Sequence, residues 1–150
     1  MKSLTLRIVL ALVGGLLATV AGAAEPTAVG RWKQIDDSTG QPRSILRIEE
    51  REGRYEAVIE KIFFRADEKD TDPVCDQCTD WRKGAKIIGL KIMSGLRRDG
   101  FAYSGGEILD PENGKTYRAK ATLSPDGRVL EVRGFIGVSL FGRSQNWYRE

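Results

Sequence analysis

A chain of 150 residues, 41% of them hydrophobic, is long enough for one domain with its own core. Its 24 basic and 21 acidic side chains alternate in sign and leave a formal charge of only +3, which argues against a nucleic-acid-binding protein. The chain contains no histidine, so Ser-His-Asp and Cys-His catalytic arrangements are excluded.

The first 23 residues have the pattern of a secretory signal peptide. Lys2 and Arg7 give a positive start, Ile8 to Val20 is apolar, and Ala21-Gly22-Ala23 supplies small residues at the cleavage position. The apolar run is shorter than the roughly 20 residues of a membrane-spanning helix, which favours cleavage over anchoring. We therefore expect residues 24–150 to form a single periplasmic or secreted domain, with no transmembrane segment in the mature chain.

The remainder of the chain shows the period-two alternation of β-strands, separated by turns rich in Gly, Asn and Pro. About eight short strands at this spacing predict an all-β fold, either a single antiparallel up-and-down barrel or a strongly curved sandwich. The segment from Ile87 to Leu96 also fits a short helix. In chain order, the predicted strands are Arg31–Ile35, Ser44–Glu49, Arg54–Ile62, Ile87–Met93, Phe101–Leu109, Lys115–Leu123, Val129–Phe135 and Ser144–Tyr148.

The two ends of the predicted sheet carry a short motif. Gly30-Arg31-Trp32 opens the first strand, and Trp147-Tyr148-Arg149 closes the last. This pattern resembles the lipocalins, in which a Gly-x-Trp on the first strand meets an Arg from near the end of the barrel. The resemblance implies that Arg149 covers Trp32, a contact that contributes about 0.5 to 2 kcal/mol. The alternative is that Trp32 and Trp147 are ordinary core aromatic residues.

The long loop at residues 65–86 contains the two cysteines, Cys75 and Cys78. In an exported protein such a pair favours a disulfide, with redox or thiol chemistry as the alternative. A zinc site would need two further ligands, and the chain has no His and no third Cys to supply them. The acidic residues from Asp67 to Asp76 lack the ordered spacing of a calcium loop, so we expect a solvated loop without a metal or cofactor.

The run Asp110-Pro111-Glu112-Asn113-Gly114 predicts a hairpin turn. Pro111 presets its φ angle, Asn113 and Gly114 accept positive φ, and Asp110 can accept hydrogen bonds from the backbone of the turn. The alternative is a metal or acid/base loop, because the turn leaves Glu112 unexplained.

Several motifs in combination are similar to a family of small exported bacterial proteins, domain-of-unknown-function family 2147. The resemblance covers nearly the whole mature chain and implies a periplasmic, mainly β, lipocalin-like domain without implying any activity. The residues that carry it are Cys75-Asp76-Gln77-Cys78, Ile88-Gly89-Leu90, Gly105-Gly106, Asp110 to Tyr117, Arg133 to Gly137, Leu140 to Arg143 and Trp147.

Two features predict a place for a ligand. Ala119 and Ala121 are small residues on the inward face of a strand, which favours an open interior unless Phe101, Tyr103 or Trp32 fills it. The uncharged apolar segment from Gly134 to Gly142 is interpreted first as a plug over the barrel end, and alternatively as a lip that meets a ligand, a membrane or a protein. The candidate ligand-binding residues are Trp32, Tyr55, Tyr117, Ala119, Ala121, Phe135 and Phe141.

We therefore expect an exported, non-enzymatic barrel that binds a small apolar ligand. The alternatives are a protein-interaction or envelope-associated module, and a hydrolase or redox enzyme. A cavity lined by Ala119 and Ala121 would favour the ligand carrier, and a filled barrel with an exposed patch at residues 135–141 would favour the interaction module. A converging carboxylate pair or a reactive Cys75 would favour the enzyme.

Overall fold

Alternating side chains bury one face of each strand inside a closed antiparallel barrel. The computed structural model describes residues 24–150, so the predicted signal peptide lies outside the described residues. Each strand pairs with its neighbours in the chain, and β8 pairs back onto β1. The eight strands are β1 Gly30–Ile35, β2 Pro42–Arg51, β3 Arg54–Ile62, β4 Lys91–Asp99, β5 Ala102–Asp110, β6 Lys115–Leu123, β7 Val129–Phe135 and β8 Gly142–Arg149.

The predicted all-β barrel is confirmed, and three strands, β3, β6 and β7, have the predicted bounds. The fourth predicted strand exists, but its predicted bounds were wrong, because β4 begins at Lys91 and not at Ile87 and ends at Asp99. Ile87 and Leu90 are buried, but a backbone turn joins the Leu90 N–H to the Ile87 carbonyl, and Gly89 between them has a φ of 90°. Their apolar character therefore reflects burial of a loop end, neither a strand nor a helix.

The longest connections of the barrel lie at one of its two ends. Short turns join β2 to β3, β4 to β5 and β6 to β7 at what we call the closed end, where residues 24–29 also lie. The opposite end, which we call the open end, carries the loops at residues 36–41, 63–90, 111–114 and 136–141.

The closed end is held by Arg149, as the sequence motif predicts. Its guanidinium carbon lies 4.3 Å from the centre of the Trp32 ring, which is fully buried. Arg149 also donates hydrogen bonds to three backbone carbonyls, those of Gly127 at 2.6 Å, Val29 at 2.9 Å and Thr27 at 2.6 Å. One side chain thus joins the entering segment, the turn between β6 and β7, and the barrel core.

Gly30 is required at the start of β1 for two physical reasons. Its φ of 136° is one that residues with a Cβ rarely adopt. A Cβ atom at this position would lie 2.7 Å from Nη1 of Arg149. The glycine of the Gly-x-Trp motif therefore makes room for the arginine that covers the tryptophan.

Aromatic side chains fill the barrel next to this end. Tyr55 and Tyr103 meet edge to face with their ring centres 4.9 Å apart, and burial raises the pKa of Tyr103. The Tyr103 hydroxyl accepts a hydrogen bond from the Ala28 N–H at 2.9 Å, and the Trp32 indole donates to the Ala28 carbonyl at 2.8 Å. The closed half of the barrel is thus a packed aromatic core in which the polar atoms of Trp32 and Tyr103 are paired.

At the open end, the predicted disulfide Cys75–Cys78 closes a small ring within the loop between β3 and β4. Both cysteines are buried, and Cys75 Sγ lies 3.8 Å from the carbonyl oxygen of Pro111. The small disulfide ring therefore packs against the turn between β5 and β6.

That turn has the predicted chemistry with one correction. Asp110 accepts hydrogen bonds from the Glu112 backbone N–H and the Asn113 side chain, both at 2.9 Å, and its carbonyl accepts one from the Gly114 N–H at 2.8 Å. Among residues 24–150, however, Asn113 is not one of the positions with positive φ, and Gly114 alone in this turn has one, at 71°. The turn therefore has four residues, and Asn113 serves it through its side chain.

Replacing Arg149 with Ala should lower the free energy of unfolding by about 2 to 3 kcal/mol, because the cation over the indole and three charged hydrogen bonds are lost together. Urea unfolding followed by tryptophan emission would measure this, and the emission of folded Trp32 should shift as well. Arg128→Ala, in an exposed position of the nearby turn, is the matched control. An Arg149→Ala protein that matches the control in midpoint and spectrum would show that Arg149 does not hold this end.

Gly114→Ala and Gly53→Ala form a matched pair, because the φ angles of the two glycines are 71° and 74°. A Cβ on Gly53 meets no atom within 4 Å, whereas a Cβ on Gly114 would lie 1.9 Å from the Gln77 carbonyl oxygen. We expect Gly53→Ala to cost about 1 to 2 kcal/mol, from backbone strain alone. Gly114→Ala should cost at least about 2 kcal/mol more, since the disulfide ring must also move. Equal costs in denaturant unfolding would contradict this account.

Candidate ligand-binding site

A cavity of about 1220 Å³ opens at the long-loop end of the barrel. It lies above the aromatic core, where the inward side chains are mostly aliphatic and leave the centre unfilled. The apolar part of its wall comes from five strands and includes Ile59, Ile62, Ile92, Ile108, Val132 and Trp147. A volume of this order is suited to enclosing a small ligand.

One side of the cavity carries a chain of neutral polar groups. The Ser44 hydroxyl donates to Oε1 of Gln34, and the Gln34 amide donates to Oε1 of Gln145, both at 2.6 Å. The same oxygen of Gln145 accepts the indole N–H of Trp147 at 3.1 Å, and the Gln145 amide donates to the carbonyl of Ile35 at 3.1 Å. All four side chains line the cavity.

Sequence reasoning missed Gln34 and Gln145, although a signal for both was present. Each stands two residues from a tryptophan, Trp32 or Trp147, on the same strand. Because alternate residues of a strand share a face, a glutamine at that spacing shares the inward face with the indole. Both amides therefore border the interior of the barrel.

The rim of the cavity is lined by paired charges. Arg43 donates two hydrogen bonds to the Glu68 carboxylate, at 2.8 and 3.0 Å, and its other terminal nitrogen lies 4.0 Å from Glu112. Arg65 pairs with Asp36, and Arg143 pairs with Asp37. The Arg65–Asp36 pair connects two loops of the open end, and the other two pairs connect these loops to the ends of β2 and β8.

Two carboxylates of the rim, Glu68 and Asp36, have a lowered pKa. The backbone N–H of Arg65, assisted by the Arg43 guanidinium, keeps the pKa of Glu68 below its ordinary value. Hydrogen bonds from the Ser38 hydroxyl and the backbone of Ser38 and Thr39 hold the pKa of Asp36 well below its usual range. At neutral pH both groups therefore act as hydrogen-bond acceptors.

The structure divides the seven predicted ligand-binding residues into two groups. Tyr117, Phe135 and Phe141 line the cavity. Trp32, Tyr55, Ala119 and Ala121 are buried but lie outside its lining, so the expectation that the two alanines border an open space was wrong. Ala121 is paired across the strands with Tyr103, whose ring occupies the interior at that level. The alanines are small because large aromatic residues pack beside them.

The uncharged segment between β7 and β8 forms part of the rim and does not fill the barrel end. We call residues 136–141 the apolar lip. Its large side chains are exposed, Ile136 by 66%, Val138 by 60%, Leu140 by 80% and Phe141 by 71%. Only Ile136 and Phe141 of these four line the cavity. The interpretation of this segment as a plug was therefore wrong.

Neither a metal-binding cluster nor a free thiol is present among residues 24–150. Within residues 24–150, no group of three or more His, Cys, Asp or Glu side chains is arranged to hold a metal ion. Over the same residues, no helix has both the length and the apolar character needed to cross a membrane. Cys75 is fully buried in its disulfide.

Comparison with known proteins places the chain in a wider context. Residues 30–149 match the family described as "Uncharacterized protein conserved in bacteria (DUF2147)". The barrel is similar to the solved structure of protein HP1028 from the human pathogen Helicobacter pylori, which belongs to the lipocalin family, with a TM-score of 0.71 and 17% sequence identity over 83% of this chain and 84% of that chain. No curated protein matches the chain. At this identity the likeness to HP1028 shows the fold alone.

Proposed function

Since the chain belongs to the DUF2147 family of uncharacterized bacterial proteins, whose description names no activity, we propose a function from the site itself: the barrel binds a small, mainly apolar ligand through its open end. The observation that carries this proposal is the cavity of about 1220 Å³, which is open at one end and bounded at the other by a packed aromatic core. A lipocalin-like barrel has the capacity for such binding.

The neutral polar groups of the cavity indicate what else the ligand carries. The side-chain amides of Gln34 and Gln145 each use one N–H in the hydrogen-bond chain, which leaves a second N–H on each for a ligand oxygen. This hydrogen-bond chain contains no charged side chain, so a ligand hydroxyl or carbonyl suits it better than a ligand carboxylate. The favoured ligand is amphipathic, with an aliphatic or aromatic body against the isoleucines and one uncharged polar group near Gln145.

No specific observation favours the enzyme alternative. Glu68 and Glu112 converge on Arg43, but a general acid needs a raised pKa and that of Glu68 is lowered. The thiolate chemistry considered for Cys75 requires a free thiol, whereas its sulfur is bonded to Cys78.

We also propose that the protein is exported and loses residues 1–23. The pattern of the first 23 residues supports this, and so does a disulfide, which persists in oxidising compartments. Mass spectrometry of the protein isolated from intact bacteria should find a chain that begins at Ala24 and is released with the periplasmic or extracellular fraction. A cytoplasmic chain that retains Met1 to Ala23 would contradict export.

The binding proposal predicts opposite behaviour for two enlarged side chains. Ile108→Trp adds bulk to the cavity wall and should weaken binding of the neutral fluorescent probe N-phenyl-1-naphthylamine at least about tenfold, a loss of about 1.4 kcal/mol. Ala121→Phe adds bulk to the packed core, so it should lower stability by about 1 to 3 kcal/mol while the folded protein keeps its affinity.

Fluorescence titration of the probe, together with urea unfolding of the same preparations, would test both expectations. Wild-type protein that does not bind the probe, or Ile108→Trp protein that binds it as well as wild type, would reject the cavity as the site. If Ala121→Phe does not fold, Tyr148→Phe on the outer face of β8 replaces it as the control for binding.

A further inference from the structure

Two residues of the apolar lip have no role in the cavity. Val138 and Leu140 are exposed by 60% and 80%, yet neither contributes to the cavity lining. Together with Ile136 and Phe141 they place four large apolar side chains within six consecutive residues. Contiguous exposed apolar groups of this kind mark surfaces that bind a partner or a membrane. Ligand binding inside the barrel does not account for them.

Hydrogen bonds hold the backbone of the lip in place while its four large side chains stay exposed. Within the loop, the Ile136 N–H donates to the Phe141 carbonyl at 3.2 Å, and the Phe141 N–H donates to the Val138 carbonyl at 3.1 Å. From outside the loop, Arg133 donates to the carbonyls of Ser139 at 2.7 Å and Leu140 at 3.3 Å. Arg118 donates to the carbonyl of Gly137 at 3.3 Å. The apolar surface is therefore formed before any partner arrives.

Two positive side chains beside the lip, Arg118 and Arg133, form no ion pair with a carboxylate among residues 24–150, although Glu107 of β5 is paired in register with Arg118. Across residues 24–150, the polar partners of Arg118 and Arg133 are backbone carbonyls and the Ser144 hydroxyl. The nearby carboxylates of the rim are already engaged, Asp37 by Arg143 and Glu68 by Arg43. The lip itself contains no charged residue. An uncharged apolar tip is thus bordered by two guanidinium groups whose positive charge is not used in an ion pair among these residues.

The exposed Trp81 lies on the same side of the open end. It is 81% exposed, and its neighbour Arg82 donates to the Thr116 hydroxyl at 2.8 Å. Thr116 is two residues from Arg118 on β6, so both side chains are on the same face of that strand. Tryptophan is enriched at the interface between membrane and water.

We propose that the apolar lip docks the open end of the barrel on a phospholipid surface with anionic headgroups. Val138, Leu140 and Phe141 enter the boundary of the acyl chains, while Arg118 and Arg133 lie at the level of the phosphates. Charge complementarity selects this partner over a second copy of the chain, because two lips facing each other would bring the arginines of both copies together. The docking does not depend on the proposed ligand.

If the proposed ligand function also holds, the docked orientation has a further consequence. Ile136 and Phe141 belong both to the lip and to the cavity wall, so the apolar surface continues from the membrane boundary into the barrel. An amphipathic molecule would then pass between the bilayer and the cavity without its apolar part crossing water.

The test is sedimentation of the processed protein, expressed from the full-length chain and checked by mass for loss of residues 1–23, with vesicles of phosphatidylglycerol and phosphatidylcholine. Wild-type protein should bind vesicles that contain phosphatidylglycerol, less at 0.5 M NaCl and less to pure phosphatidylcholine. The double variant Val138→Ser/Leu140→Ser should lose binding at least about tenfold, because the apolar anchor is removed. The matched control is Val29→Ser/Tyr148→Ser, which removes two exposed apolar side chains outside the lip.

Absence of vesicle binding, or equal binding by the lip variant and wild type, would overturn the proposal. Self-association of wild type in sedimentation velocity that the lip variant abolishes would also overturn it, because a second copy would then occupy the lip. Both positions are exposed, so circular dichroism should show that the lip variant folds as wild type does. Its binding of N-phenyl-1-naphthylamine without vesicles should be unchanged, so the lip and the cavity can fail separately.

Discussion

The contact between Arg149 and Trp32 is the interaction on which the architecture depends. It occurs where the last strand meets the first, along a ladder of only three residue pairs. The guanidinium covers the indole and joins it to the carbonyls of Thr27, Val29 and Gly127, so the segment before β1 and the turn after β6 are fixed with it. Closing this end removes the free edges of β1 and β8 and defines the opposite end as the entrance.

The barrel is asymmetric because its two halves are filled differently. Near Arg149, the rings of Trp32, Tyr55 and Tyr103 occupy the interior, and small residues such as Ala119 and Ala121 are needed beside them. Toward the other end, aliphatic side chains and two glutamine amides surround a space that they do not fill. The packed half of the barrel supplies stability, and the unfilled half supplies space for a ligand. The same strands therefore serve a different purpose at each of their two ends.

The loops of the open end are connected to one another and not only to the strands. The disulfide ring packs on the turn after β5, and the Gln77 carbonyl occupies the space that a side chain on Gly114 would need. The ion pair between Arg65 and Asp36 joins the loops at residues 63–90 and 36–41. The ion pairs of Arg43 with Glu68 and of Arg143 with Asp37 fix these two loops to β2 and β8. The lip differs from the rest of the rim because its large side chains are apolar and exposed. For this reason we propose that it binds a phospholipid surface.

The sequence by itself predicted the all-β fold, the disulfide and the Asp110 turn, because each follows from alternation, from turn residues or from cysteines close together in the chain. The contact of Arg149 with Trp32 was implied by the resemblance of a short motif to the lipocalins, and closure of the strands into a barrel was decided by the pairing of β8 with β1. The sequence did not determine the cavity. Whether Ala121 faces a space or a ring depends on Tyr103 of the neighbouring strand, and Ile87 gives the same apolar signal in a loop as in a strand. The exposure of the lip and the inward position of Gln145 were likewise decided by tertiary structure, since the alternation of a strand identifies its two faces but not what fills the space beside them.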